Sequence, residues 1–261
     1  MIKLIIISIV FFSSTTCVTS QQLTFKIDSL SQDYKTSLID EEKKASPEIS
    51  LTASHFSSDV KPTPKTQSSR YLFSESAYGL KEGQHMYQNI LGVLNSYSYG
   101  FSDNFTFNFS TELANIIAGR FPIVLLSPKY TFGSEQSNVR YGLGVNYAFS
   151  ISDDNEAIGS VYGLMTIGKP YNNITIGLGY LYDTDDGFDD RPYFQLSTSL
   201  LLSEKYIFLV DANFAIDGEL QGIISPTLRY TKGNATFDLS VTITSEDEAE
   251  VIPVAGVSFL F

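Results

Sequence analysis

From residue 71 to the C-terminus the chain repeats one pattern: large apolar side chains at every second position, small or polar ones between them. Residues 235–244 are the cleanest instance. Phe237, Leu239, Val241 and Ile243 point one way, and Thr236, Asp238, Ser240 and Thr242 the other. A period of two is the signature of a β-strand with two unlike faces. Residues 139–151 repeat it, with Val139, Tyr141, Leu143, Val145, Tyr147, Phe149 and Ile151 opposite Arg140, Gly142, Gly144, Asn146, Ala148 and Ser150. Further stripes run through Phe105, Phe107 and Phe109, through Ile174, Ile176, Leu178, Tyr180 and Tyr182, through Phe194, Leu196, Leu200 and Leu202, and through Tyr206, Phe208, Val210, Ala212, Phe214 and Ile216. A soluble β-sandwich also alternates. These runs are longer than the five or six residues usual in soluble sheets, and match the roughly 9–11 of a tilted transmembrane strand. The small-residue face also carries Glu112, Lys129, Arg140, Asp211, Arg229 and Asp238, which an apolar core would tolerate only at high cost.

The fold these features predict is all-β: a transmembrane antiparallel up-and-down β-barrel over residues 71–261, most consistent with twelve strands. Residues 71–76 serve as the first strand and residues 86–101 as the second; ten is the next even choice. The last strand ends Val257-Ser-Phe259-Leu-Phe261. Val257, Phe259 and Phe261 on one face suit a closing strand and a C-terminal signal for barrel-assembly machinery. Short connections alternate with more acidic ones, which sets the short turns in the periplasm and the acidic loops outside.

The N-terminal region reads differently. Met1-Ile-Lys3, an apolar run over 4–12 and small residues up to Ser20 fit a secretory signal peptide, residues 1–20, too short to cross a bilayer as a helix. The single cysteine, Cys17, lies in it, so the mature chain is expected to have neither disulfides nor a cysteine nucleophile. Residues 21–70 are rich in Ser, Thr, Lys, Asp and Glu and poor in aromatics, which predicts a flexible, disordered periplasmic leader.

The formal charge is −12 at pH 7, and −13 once Lys3 leaves with the signal. This acidity argues against nucleic-acid binding. No cofactor is implied. Of the two histidines, His55 lies in the leader. His85, read as the outer end of the second strand, has Glu82 or Asp185 as acid–base partners for a rim-located lipid-modifying activity, but no nucleophile motif accompanies it. The run Asp183-Thr-Asp185-Asp186-Gly-Phe-Asp189-Asp190 offers five carboxylates for a divalent cation, without EF-hand spacing. Its bland reading is a solvated outer loop, or loose cation bridging to lipopolysaccharide. The six charged inward residues have two readings. Paired, they rigidify the barrel and partly plug it; unpaired, they tune the ion selectivity of a pore.

Ser74-Glu-Ser-Ala-Tyr-Gly-Leu-Lys-Glu-Gly83, then Tyr87-Gln-Asn89, then Tyr99-Gly-Phe-Ser-Asp-Asn-Phe105 resembles a group of uncharacterised outer-membrane β-barrel proteins of Bacteroidetes-type bacteria. The likeness covers about 40 residues and implies fold and outer-membrane location in a Gram-negative bacterium, but no activity. The function expected is a narrow pore or small-solute channel, with a closed structural or interaction barrel as the alternative. Outer-membrane lipid and lipopolysaccharide are the expected surroundings.

Overall fold

The structure is a computed structural model that describes residues 68–133, 137–150, 157–183, 187–217, 219–245 and 249–261. The signal peptide and residues 21–67 of the leader lie outside the described residues.

Twelve antiparallel strands close into one barrel, each paired with its sequence neighbours and the last with the first. They are β1 (His85–Ile90), β2 (Leu94–Ser102), β3 (Phe105–Glu112), β4 (Ile123–Phe132), β5 (Val139–Ser150), β6 (Ala157–Lys169), β7 (Asn172–Asp183), β8 (Gly187–Leu201), β9 (Tyr206–Asp217), β10 (Glu219–Lys232), β11 (Ala235–Ser245) and β12 (Ala249–Leu260); among the described residues a short helix, α1 (Ala114–Ile117), lies between β3 and β4. The C-terminal strand closes the ring as its sequence suggests. Phe259 faces Tyr87, Val257 faces Asn89, and His85 and Phe261 exchange backbone hydrogen bonds at 2.8 and 2.9 Å.

The strand count matches the sequence reading, but the first strands do not. Residues 71–76 form no barrel strand, and residues 86–101 form two, folded at Leu91-Gly92. Both turn residues have positive φ, 54° and 77°, as a tight type I′ hairpin requires. Leucine pays a steric penalty there, and the glycine beside it does not. This extra hairpin brings His85 to the end of the barrel that holds Phe261, whereas the sequence reading set it at the opposite rim.

The alternation sorts cleanly across the wall. Phe237, Leu239, Val241 and Ile243 are exposed on the outside of β11, while Thr236, Asp238, Ser240 and Thr242 are buried inside. Outward aromatics collect at the end with the chain terminus, where Tyr99 meets Phe101, Tyr130 meets Phe132, Phe132 meets Tyr141, and Tyr206 meets Tyr230. That is an aromatic girdle built without tryptophan.

Candidate functional site

Residues 69–80 run inside the barrel, in the half nearer the chain terminus. Tyr71 packs on Ile207 and Leu209, Leu72 on Ile90 and Val254, and Ala77 on Tyr162 and Leu164. The segment turns back on itself, with Tyr71 N–H donating to the Ser74 carbonyl and Ser76 N–H to the Ser69 carbonyl. A buried backbone outside any sheet must find partners elsewhere, and here the wall side chains supply them. Cations take the carbonyls: Lys129 Nζ donates to Ser76 and Tyr78 at 3.0 and 3.1 Å, and the Arg229 guanidinium to Arg70 and Tyr71, both at 3.1 Å. The anion takes the amides: Asp211 Oδ2 accepts from Phe73 and Ser74 N–H at 2.8 and 2.7 Å. Neutral wall groups finish the job. Gln88 and Gln195 donate to the Leu72 and Glu75 carbonyls, and Thr166 and Thr106 accept from Ala77 and Leu80 N–H.

The six charged residues singled out by alternation therefore have distinct placements. Lys129, Asp211, Arg229, Asp238 and Glu112 are all buried. Arg229 forms a two-pronged pair with Asp238 at 2.7 and 2.8 Å, the strong planar geometry for these groups. Lys129 pairs across the lumen with Glu75 at 2.9 Å, and Arg70 approaches the same carboxylate at 4.0 Å. Arg140 lies over the Tyr78 ring, 5.1 Å from its centre. Glu112 stands apart at the other end, accepting the Asn115 N–H of α1.

Sequence reasoning missed Glu75, Arg70 and Tyr71, because a segment with polar residues and no clear alternation reads as linker or edge strand. The signal was there in the motif 74–83. Its Gly79 sits against Thr131 and Thr106, and its Lys81 carbonyl lies where a Cβ on Gly100 would be. Gly100→Ala is expected to undock residues 79–84 and expose them to protease while the barrel itself still forms; equal protection in wild type and variant would refute this.

Burial alone would raise the Glu75 carboxyl, but Lys129 and Arg70 together outweigh it and hold it below its ordinary 4.5. A depressed carboxyl stabilises above its ordinary pKa and loses that contribution as pH falls through the depressed value. Docking of residues 69–80 should thus hold at neutral pH and weaken in acid below 4.5. Glu75→Gln should flatten this pH dependence, read as protease susceptibility of the segment against pH.

The remaining sequence candidates scatter. His85 Nδ1 contacts the Tyr97 hydroxyl, and its ring lies 4.7 Å from Tyr99 and 6.4 Å from Phe261, so it belongs to the aromatic girdle. The described ends of β7 and β8, where Asp183 faces Gly187, are at the opposite end of the barrel from His85, and Asp185 lies outside the described residues. Of the aspartate run, Asp185 and Asp186 and the side chains of Asp183, Asp189 and Asp190 lie outside what is described. Among the described residues no group of three or more His, Cys, Asp or Glu is placed to hold a metal ion.

No family model matches the chain, and no curated protein does. Among solved structures, a NanC porin in a rhombohedral crystal form is similar, at 11% identity and a TM-score of 0.47, over 67% of this chain and 98% of that one.

Proposed function

We propose that this chain is an outer-membrane β-barrel protein that forms a narrow small-solute channel, closed at rest by its own residues 69–80. The observation that carries the reading is the exchange of partners inside the lumen: wall charges fasten residues 69–80 rather than only one another. Behind it the wall is water-compatible, with Ser96, Ser98, Asn108, Ser110, Ser225, Thr227 and Thr242 buried on the inner face. The outer face supports membrane placement, since a continuous belt of exposed Phe, Tyr, Leu, Ile and Val exceeds what a water-soluble monomer carries. We place the chain terminus and His85 on the periplasmic side, with Phe259 and Phe261 offered to the barrel-assembly machinery, and lipopolysaccharide around the far end. The group resembled at 74–105 would share this inner segment. We read the protein as non-enzymatic, His85 being a girdle residue.

The second reading, a closed structural barrel, draws on the same ion pairs. Single-channel conductance of the refolded protein in a planar bilayer separates them. A gated channel gives discrete steps when the inner segment is loosened, and Asp211→Asn then shifts its cation preference. A barrel that stays silent with the segment demonstrably undocked is structural.

A further inference from the structure

Asp211 is 1% exposed on β9, and among the described residues no cationic side chain pairs with it. Its Oδ2 takes two successive main-chain amides, Phe73 and Ser74 N–H. Its Oδ1 is braced by the Ser197 hydroxyl of β8 at 2.9 Å. Two residues along β9, Asn213 exchanges hydrogen bonds with the Ser74 hydroxyl at 2.8 and 3.1 Å. Facing Asn213 on β8, Gln195 Nε2 donates to the Glu75 carbonyl at 2.8 Å. Two neighbouring strands thus bond the main chain at three consecutive residues, 73 to 75. Such bonds go to groups that every peptide carries, so they favour a peptide without choosing its sequence.

The choice of side chain is made elsewhere on the wall. β4 lies five strands round the ring from β9. From it, buried Lys129 meets the Glu75 carboxylate at 2.9 Å, and the Tyr162 hydroxyl of β6 donates to the same group at 3.2 Å. When the segment leaves, Arg229 and Asp238 keep each other. Asp211 and Lys129 do not: each loses its partners on the segment and stays in the wall. A buried charge without a partner is costly. The open lumen therefore holds one carboxylate suited to N–H donors and one ammonium suited to a carboxylate. Their separation is one that an acidic peptide spans, because residues 73–75 span it.

We propose that this part of the lumen wall is a binding site for short acidic peptides, and that residues 73–75 occupy it as an intramolecular stand-in. The inference rests on the channel reading above and gives it a solute class. Peptide and segment use the same wall groups, so they exclude each other. A peptide that binds only the free wall draws the segment out by its preference for that state.

The test uses full-length mature protein in dioleoylphosphatidylcholine nanodiscs. The probes are two dye-labelled peptides with blocked ends, Phe-Ser-Glu-Ser-Ala and Phe-Ser-Gln-Ser-Ala, followed by fluorescence anisotropy. Hydrogen–deuterium exchange over residues 72–78 reports the segment. Wild type should bind weakly, because the tethered segment competes at an effective concentration on the order of millimolar. Glu75→Gln weakens the competitor and leaves the wall intact. It should bind the Glu peptide about tenfold more tightly than wild type does, and the Gln peptide about tenfold less tightly than the Glu peptide. Lys129→Met should make the two peptides equal, and Asp211→Asn should weaken both alike. Bound peptide should speed exchange at the Phe73 and Ser74 amides. If the segment stays protected in Glu75→Gln, Gly100→Ala supplies the open wall for the same comparison. Folded protein with an exchanging segment that binds neither peptide overturns the proposal. Equal binding of the two peptides, or affinity untouched by Asp211→Asn, overturns it too. Conductance steps from protein that binds no peptide sink this inference and leave the channel; bound peptide with silent open variants leaves the site and sinks the channel.

Discussion

Lys129→Met is expected to release residues 69–80 and open the lumen at neutral pH. The lysine is 2% exposed and joins four groups of the inner segment at once: the Glu75 carboxylate and the Ser69, Ser76 and Tyr78 carbonyls. Methionine keeps the stem and much of the volume but offers no donor. Among the described residues Glu75 then keeps Arg70 at 4.0 Å and the Tyr162 hydroxyl at 3.2 Å. Breaking a buried pair by removing one partner costs about 3–5 kcal/mol, because the survivor is left charged and dry. That is enough to shift a docked segment to a mostly free one, seen as conductance steps absent from the wild type and as protease cleavage within 69–80. Adding Glu75→Leu should restore closure in part, since two apolar groups leave no stranded charge. A single variant as closed and protected as wild type would show that the pair does not hold the segment.

Arg229→Met should have an effect of similar size but in a different place. Arg229 is 1% exposed, and it binds Asp238 with two prongs while donating to the Arg70 and Tyr71 carbonyls. Its loss leaves a buried carboxylate in the wall and two carbonyls short of a donor. The expected cost is again about 3–5 kcal/mol, now shared between wall and segment. Urea unfolding of the refolded barrel should report the wall part, and the double variant Arg229→Met/Asp238→Leu should recover most of it. If the double variant is as unstable as the single, the loss comes from the undocked carbonyls rather than from stranded Asp238.

The two variants separate what the lumen charges do. Both signs were visible on the small-residue faces of the strands, because alternation alone assigns them inward. Whether they pair with one another was not visible. Only Arg229 and Asp238 do so directly across adjacent strands, facing each other between β10 and β11. Lys129 and Asp211 turn to a segment 50 to 140 residues away in sequence.

By itself, the sequence determined the wall. The period of two, the length of the runs and the closing aromatic strand specify a closed antiparallel barrel with unlike inner and outer faces. The count of twelve comes out right only because two misassignments offset each other, residues 71–76 as a strand and 86–101 as one strand. Tertiary structure decided the seam and the interior. The turn at Leu91-Gly92 sits in the apolar run Ile90-Leu-Gly-Val-Leu94, where a single glycine is the only local sign of reversal, and ring closure selects it by forcing β1 to meet β12. The fate of residues 69–80 was decided by contacts with eleven of the twelve strands, all but β11 among the described residues, and most of these strands are far from the segment in the chain. No local pattern encodes such partners, because the segment has no ladder of its own and takes its hydrogen bonds from side chains that only the closed barrel brings together.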